Sequence, residues 1–435
     1  MLITRTPSTA AVLAVAVTLS VVTACTRDTT AGDSGSTPSP PWSEYAWQAG
    51  DITASTGALP SGDGGLAAYA FEAQGTQHVI YGSAVDDHVR ELWWNINGWH
   101  TADLTETAGA PPTEGPLTGY AFEAENTQHV VYNGVDTRIH ELWFDRTGWH
   151  TGDLTAATGA PPVAAGGALT GYAFETQHTQ HVLYISASDN HIRELWSDRT
   201  GWHTGDLTAA TGAPPVAAGG ALTGYAFETQ HTQHVLYISA SDNHIRELWS
   251  DGATWHMTDL TDATGAVTAA QGGPLAGYPF EKQHTQHVIY AGSDGRLYEL
   301  WCEGTTWRIS DLTAITGAPP AQSLAGYVLK AQGSQHVVYT GVDRRLYELW
   351  WNNEWRLGDL TAATRAPAPG TGRLHGYAFD VQVTQHIIYV SAGDGHVREI
   401  WWGPPVNRDD SRPSGVPQAG GSAAGKAPRS SPAPP

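Results

Sequence analysis

Positive charge and thiols are scarce in this chain. Its 22 Lys and Arg, only three of them Lys, stand against 43 Asp and Glu, and two cysteines occur in 435 residues. A net charge of −21 with no basic cluster gives a polyphosphate backbone nothing to bind, so nucleic acid is excluded as an expected partner. Two cysteines cannot form a disulfide framework, and the fold must rest on packing. Long apolar runs are missing too. The longest, Ala10 to Val22, is shorter than the roughly 20 residues a spanning helix needs. Apolar residues three and four apart, the mark of helical repeats, are also absent as a recurring pattern.

That short run, preceded by the single charge Arg5, reads as a secretory signal. Val22-Thr23-Ala24-Cys25 looks like a bacterial lipoprotein processing box, which implies acylation of Cys25 and an extracytoplasmic chain held at the cell surface. The alternative is an ordinary signal cut nearby and a secreted product. Residues 26–41 are rich in Gly, Ser, Thr and Pro and read as a flexible linker, and 404–435 as a disordered Pro/Gly/Ser-rich tail. The second cysteine, Cys302, is expected to be a buried or half-buried thiol.

Between these ends, residues 42–403 hold seven copies of one unit. A Gln-His pair, two aliphatics and Tyr mark its centre at His78, His129, His181, His234, His287, His336 and His386, spaced by 51, 52, 53, 53, 49 and 50 residues. A period near fifty with four short extended segments predicts an all-β fold, a seven-bladed β-propeller of four-stranded blades. Asp stands five residues before a recurring Glu at Asp86, Asp136, Asp189, Asp242, Asp294, Asp343 and Asp394, with Gly following in two copies, as a tight turn requires. Stretches such as DLTAATGAPPVAAGGALT read as crossings between blades. The seventh copy stops after Trp402, and Trp47 to Thr53 matches Trp99 to Thr105. An N-terminal strand is therefore expected to complete the last blade and close the ring. Residues 145–197 and 198–250 are identical, so those two copies are one witness.

The residues able to do chemistry recur around the ring: His, Tyr, Glu and two Trp per unit, with Glu at Glu91, Glu141, Glu194, Glu247, Glu299, Glu348 and Glu399. Enzymes concentrate asymmetry at one centre, and glycosidases need two facing carboxylates. A set spread evenly over seven units favours repeated binding, or pure scaffold, over catalysis. His178 and His181, three apart on a strand, point to opposite faces and would not share a metal ion. No metal or cofactor is expected. A pyranose, with one C–H face and a rim of hydroxyls, suits an indole bordered by a carboxylate.

The string QHVVYNGVDTRIHELWFDRTGWHTGDL (128–154) resembles the blade repeat of the fucose-binding propeller lectins, of which one branch is the six-bladed Aleuria type and another the seven-bladed Photorhabdus type. The resemblance runs through all seven copies. It implies a lectin, not an enzyme, with glycans bound between blades by a Glu, an Arg and an aromatic. Glu141 and its equivalents take the place of the family Glu, and Trp149 or Trp143 that of the aromatic. His129 takes the Arg position, giving one donor and one acceptor where the family has a charged fork. His–Glu spacing is twelve in three copies and thirteen in four, and the shorter matches the family. The expected carbohydrate-binding residues are thus His129, Glu141 and Trp149, His287, Glu299 and Trp307, and His336, Glu348 and Trp355, followed by Glu91, Glu194, Glu247 and Glu399. A protein-binding scaffold without sugar sites and a propeller carbohydrate-active enzyme are the rival readings.

Overall fold

A computed structural model describes residues 44–217 and 219–405. The signal, Cys25, the linker and the tail beyond Pro405 lie outside the described residues.

Each unit folds as its alternation dictates. In the second, strands Thr113–Phe122, Thr127–Gly134, Ile139–Asp145 and Gly148–Asp153 run antiparallel in chain order. Seven such four-stranded sheets form the blades, and the last is completed from the other end of the chain, where Ala46–Asp51 pairs with Val397–Gly403. Trp47 lies opposite Trp402 in that pairing. The seven-bladed ring and its N-terminal closure are as expected.

The core lies between blades. Ile80, Val89 and Leu104 of the first blade pack on Val130, Tyr132 and Leu142 of the second. The last such cluster joins Ile388 and Val397 of the seventh blade to Val79, Tyr81 and Leu92 of the first. Every sheet is thus buried on both faces only because it has two neighbours, with each fully buried Leu or Val contributing about 1.5–3 kcal/mol. The innermost strands crowd most. A Cβ on Gly326 would stand 2.3 Å from Tyr278 Cε1 of the preceding blade, so the Gly-Tyr step of the repeat serves this close approach.

The crossings carry more structure than their composition suggested. Each begins with a five-residue helical turn, such as Leu154–Thr158, where the Asp153 carboxylate accepts the Ala156 N–H at 2.7 Å and Gly159 closes with φ +70°. Asp before Leu-Thr and Gly just past the turn are capping signals. The links are the crossings from the outer strand of one blade to the inner strand of the next, as expected, and the short helical turn is an addition to that reading.

Candidate functional site

Register fixes which side chains meet. His129 lies opposite Trp143, and Trp143 opposite His150, while Glu141 is paired with Val131 one step along the same face. The fourth-strand Trp149 is opposite Phe144 and so points to the other face. The same holds in every copy, because the extra residue of the longer spacing is absorbed in the turn. Gly134 N–H closes on Arg138 O in the second copy, and Ser186 N–H on His191 O in the third. The distinction drawn from spacings of twelve and thirteen therefore disappears.

On that face His and Glu are joined. Nδ1 of each His meets Oε1 of its Glu at 2.7–2.8 Å in all seven blades. Nε2 is taken by the hydroxyl two residues earlier, Thr127 Oγ1 for His129 and Ser334 Oγ for His336. A Tyr from the first strand stacks on the imidazole, with ring centres 5.5 Å apart for Tyr120 and His129. The histidines are 3–5 % exposed and the glutamates 3–6 %.

This corrects two expectations. His129, His287 and His336 have both ring nitrogens engaged inside the protein and cannot stand in for the family arginine as a sugar donor. Glu91, Glu141, Glu194, Glu247, Glu299, Glu348 and Glu399 form no open rim, since each carboxylate lies in the interior against its imidazole. The grouping of Trp149 with Glu141, Trp307 with Glu299 and Trp355 with Glu348 is corrected too, because these half-buried indoles face the preceding blade. Trp149 packs in the cluster between blades one and two, Trp307 between four and five, and Trp355 between five and six. There the indole N–H of Trp355 donates to Glu299 Oε2 at 3.1 Å. A carboxylate of one blade and an indole of the next do share a seam, but as bonded partners.

Deeper in each seam a Tyr hydroxyl donates to the Gln of the following blade, as Tyr120 does to Gln180 Oε1 at 2.9 Å. The seventh of these bonds, Tyr377 to Gln77, crosses the point of ring closure. Burial pushes these phenols well above their ordinary range, the nearby glutamates adding to it.

Nearer the surface is a feature the sequence reading passed over. The third-strand indole is half-buried and stacks on the facing side chain of the fourth strand: Trp93 on His100 at 4.2 Å, Trp143 on His150, Trp196 on His203, and Trp249 on His256. In the fifth blade the guanidinium of Arg308 lies 5.0 Å from the Trp301 ring centre. The repeated Trp-His dipeptide of the fourth strand, opposite a Trp two strand positions from Glu, was the available signal. Thr147 Oγ1 and Asp145 Oδ1 both meet the same nitrogen of His150, at 2.8 and 3.0 Å, so the ring cannot relay a proton between them as a hydrolase triad requires.

Asp, His and Asp converge in four blades, as at Asp86, His88 and Asp103. In each, an arginine already bridges the two carboxylates. Arg90 Nη2 lies 2.5 Å from Asp86 and 3.0 Å from Asp103. His178 is not on the strand as expected but closes the 3-10 turn before it, at φ +55°, and pairs with Glu125 on the surface, while His181 is buried on Glu194; the two diverge for that reason. Cys302 is buried, and burial pushes its thiol up to about 11.

Residues 46–211 match the family model described as fungal fucose-specific lectin. No protein of curated function matches the chain. AofleA from Arthrobotrys oligospora is similar at 15% identity and a TM-score of 0.50, over 72% of this chain and 89% of that one. The SapL1 lectin in complex with alpha methyl fucoside is similar at 18% identity and 0.47, over 69% and 97%. An Aleuria aurantia lectin mutant in complex with alpha-methyl-L-fucoside follows at 17% and 0.48, over 68% and 94%. At 15% identity the likeness to AofleA is one of fold, and the resemblance in sequence is carried by the family model.

Proposed function

We propose that this chain is a carbohydrate-binding lectin whose sugars lodge in the outer part of the seams between adjacent blades. The observation that carries the reading is at the fifth seam, where the half-buried indole of Trp355 from the sixth blade bonds to Glu299 of the fifth, and the half-buried indole of Trp301 stands two residues along on the same face as that Glu. A partly exposed indole suits the C–H face of a pyranose, and the lectin match over 46–211 supports the same class. The interior Glu is a positioning group. In the fifth seam it holds the Trp355 indole by its N–H. Fucosides are the first probes, since proteins of this fold have been solved with them. Single shallow sites bind weakly, and several on one ring raise avidity toward branched glycans. The chain is further proposed to be extracytoplasmic and anchored through acylated Cys25. Its partners are then glycans, and its membrane contact is the lipid alone.

A glycan array with the intact ring tests the reading, discrete sugars being the expected result. Silence across the array would favour a protein-binding scaffold, and turnover of chromogenic glycosides above background an enzyme. Labelled fatty acid entering the wild-type chain but not Cys25→Ser tests the anchor.

A further inference from the structure

The seam between the fifth and sixth blades differs from the others in charge. Around one mouth of the ring, the turn after the first strand carries, in six of the seven blades, a carboxylate that accepts backbone N–H groups of the preceding turn. Glu123 takes those of Glu72 and Ala73, and Glu281 those of Glu228 and Thr229. In the sixth blade that position is Lys330, so this clamp is replaced by a cation at the 5/6 seam. The fifth-blade turn carries Lys282, whose Nζ reaches the sixth-blade turn, 2.9 Å from where a Cβ on Gly333 would lie. Two of the three lysines of the chain thus flank one seam, both exposed.

Farther out on the same seam lies Arg308. Its guanidinium stacks on Trp301, it is exposed, and it makes no ion pair among the described residues, although Glu303 stands on the same hairpin. Arg356, in the corresponding place of the next blade, is tied to Glu354. In blades two to four the position is a histidine held by an aspartate. A guanidinium stacked on an indole keeps its N–H edge free for a planar anion. In a chain of net charge −21 the long-range field opposes anions, so selection of one needs a local cluster of this kind.

We propose that the 5/6 seam selects saccharides bearing an anionic group, a carboxylate or a sulfate, with Arg308 as the fork and Lys282 and Lys330 as flanking charges. The inference rests on the lectin reading and names the ligand class of one of its sites.

The test uses the intact ring against paired probes: each oligosaccharide as its neutral, carboxylated (uronic or sialic acid) and sulfated form, at low and high salt. The expected result is a preference for one acidic form of about tenfold, shrinking with salt, and the form preferred tells carboxylate from sulfate. Arg308→Gln should bring the acidic-to-neutral ratio near one, and Lys330→Glu should lower it less. Equal binding of neutral and acidic forms, or a ratio unmoved by Arg308→Gln, overturns the inference and leaves the lectin reading standing. Equally tight, Arg308-dependent binding of anionic lipid vesicles overturns it in favour of a membrane surface. No binding of any saccharide ends both readings.

Discussion

Inside the seam and at its edge, this ring follows opposite rules. The inner layer is invariant. Tyr to Gln across the seam and His to Glu within the blade occur seven times with nearly the same distances. At the outer edge one position varies: His100, His150, His203, His256, Arg308, Arg356 and Gln48 face the seven third-strand indoles. Repetition inside reports what the architecture demands of every blade, and variation outside reports where ligands can differ. A recurring polar residue in a repeat protein is therefore no sign of a repeated site until its burial is known.

The comparison breaks most severely if the ring is opened. Deleting residues 42–51 removes the outer strand of the seventh blade, leaving the Val397–Gly403 edge unpaired. We expect the product to aggregate or pair through that edge, seen as oligomers by size-exclusion chromatography with light scattering. A stable monomer with unchanged unfolding midpoint would show that closure contributes little.

Next in size is the inner layer itself. Glu141→Ala leaves His129 without its buried partner and should cost about 3–5 kcal/mol in urea unfolding. Gly326→Ala, driving a methyl into Tyr278, should cost about 1–3 kcal/mol. At the edge the balance reverses. Trp355→Ala should weaken sugar binding in the 5/6 seam much more than it lowers the unfolding midpoint. If Glu141→Ala proved neutral for stability and selective for sugar binding, inner and outer layers would have to exchange roles.

These differences also show what the chain could reveal unaided. Blade number, strand order and the closing strand were legible because period and alternation are properties of the chain. The pairing of His129 with Glu141 was not, since twelve- and thirteen-residue spacings give the same register once the turn absorbs one residue. Nor was the partner of Trp355, because Glu299 lies 56 residues away on another blade. The helical turns after Asp153 and its equivalents were legible from their caps and were passed over. Resemblance to a lectin motif named Glu141 as a ligand, whereas burial makes it a support.

The smallest expected effect separates two carboxylates by the sign of their pH dependence. Hydrogen bonds from Arg246, opposed by burial, hold Asp242 below the ordinary carboxylate range. Its contribution is complete above the unfolded value of about 3.9 and is lost as pH falls through and below it. Partly exposed pairs of this kind contribute below about 1 kcal/mol. Glu175, in a carboxylate clamp of the inner mouth, is instead raised by burial, against the N–H groups of Ala124 and Glu123 that it accepts. The folded protein therefore binds that proton more tightly than the unfolded chain does, and stability should rise slightly as pH falls through the raised value. Unfolding free energies at pH 7, 5 and 3 should show Asp242→Asn losing most against wild type at pH 7 and least at pH 3. Glu175→Gln should remove the small gain that the wild type shows as pH falls toward the ordinary glutamate range. Parallel pH profiles for the two variants would mean that the clamp and the arginine bridge are equivalent surface charges, and that the inner mouth is not desolvated enough to matter.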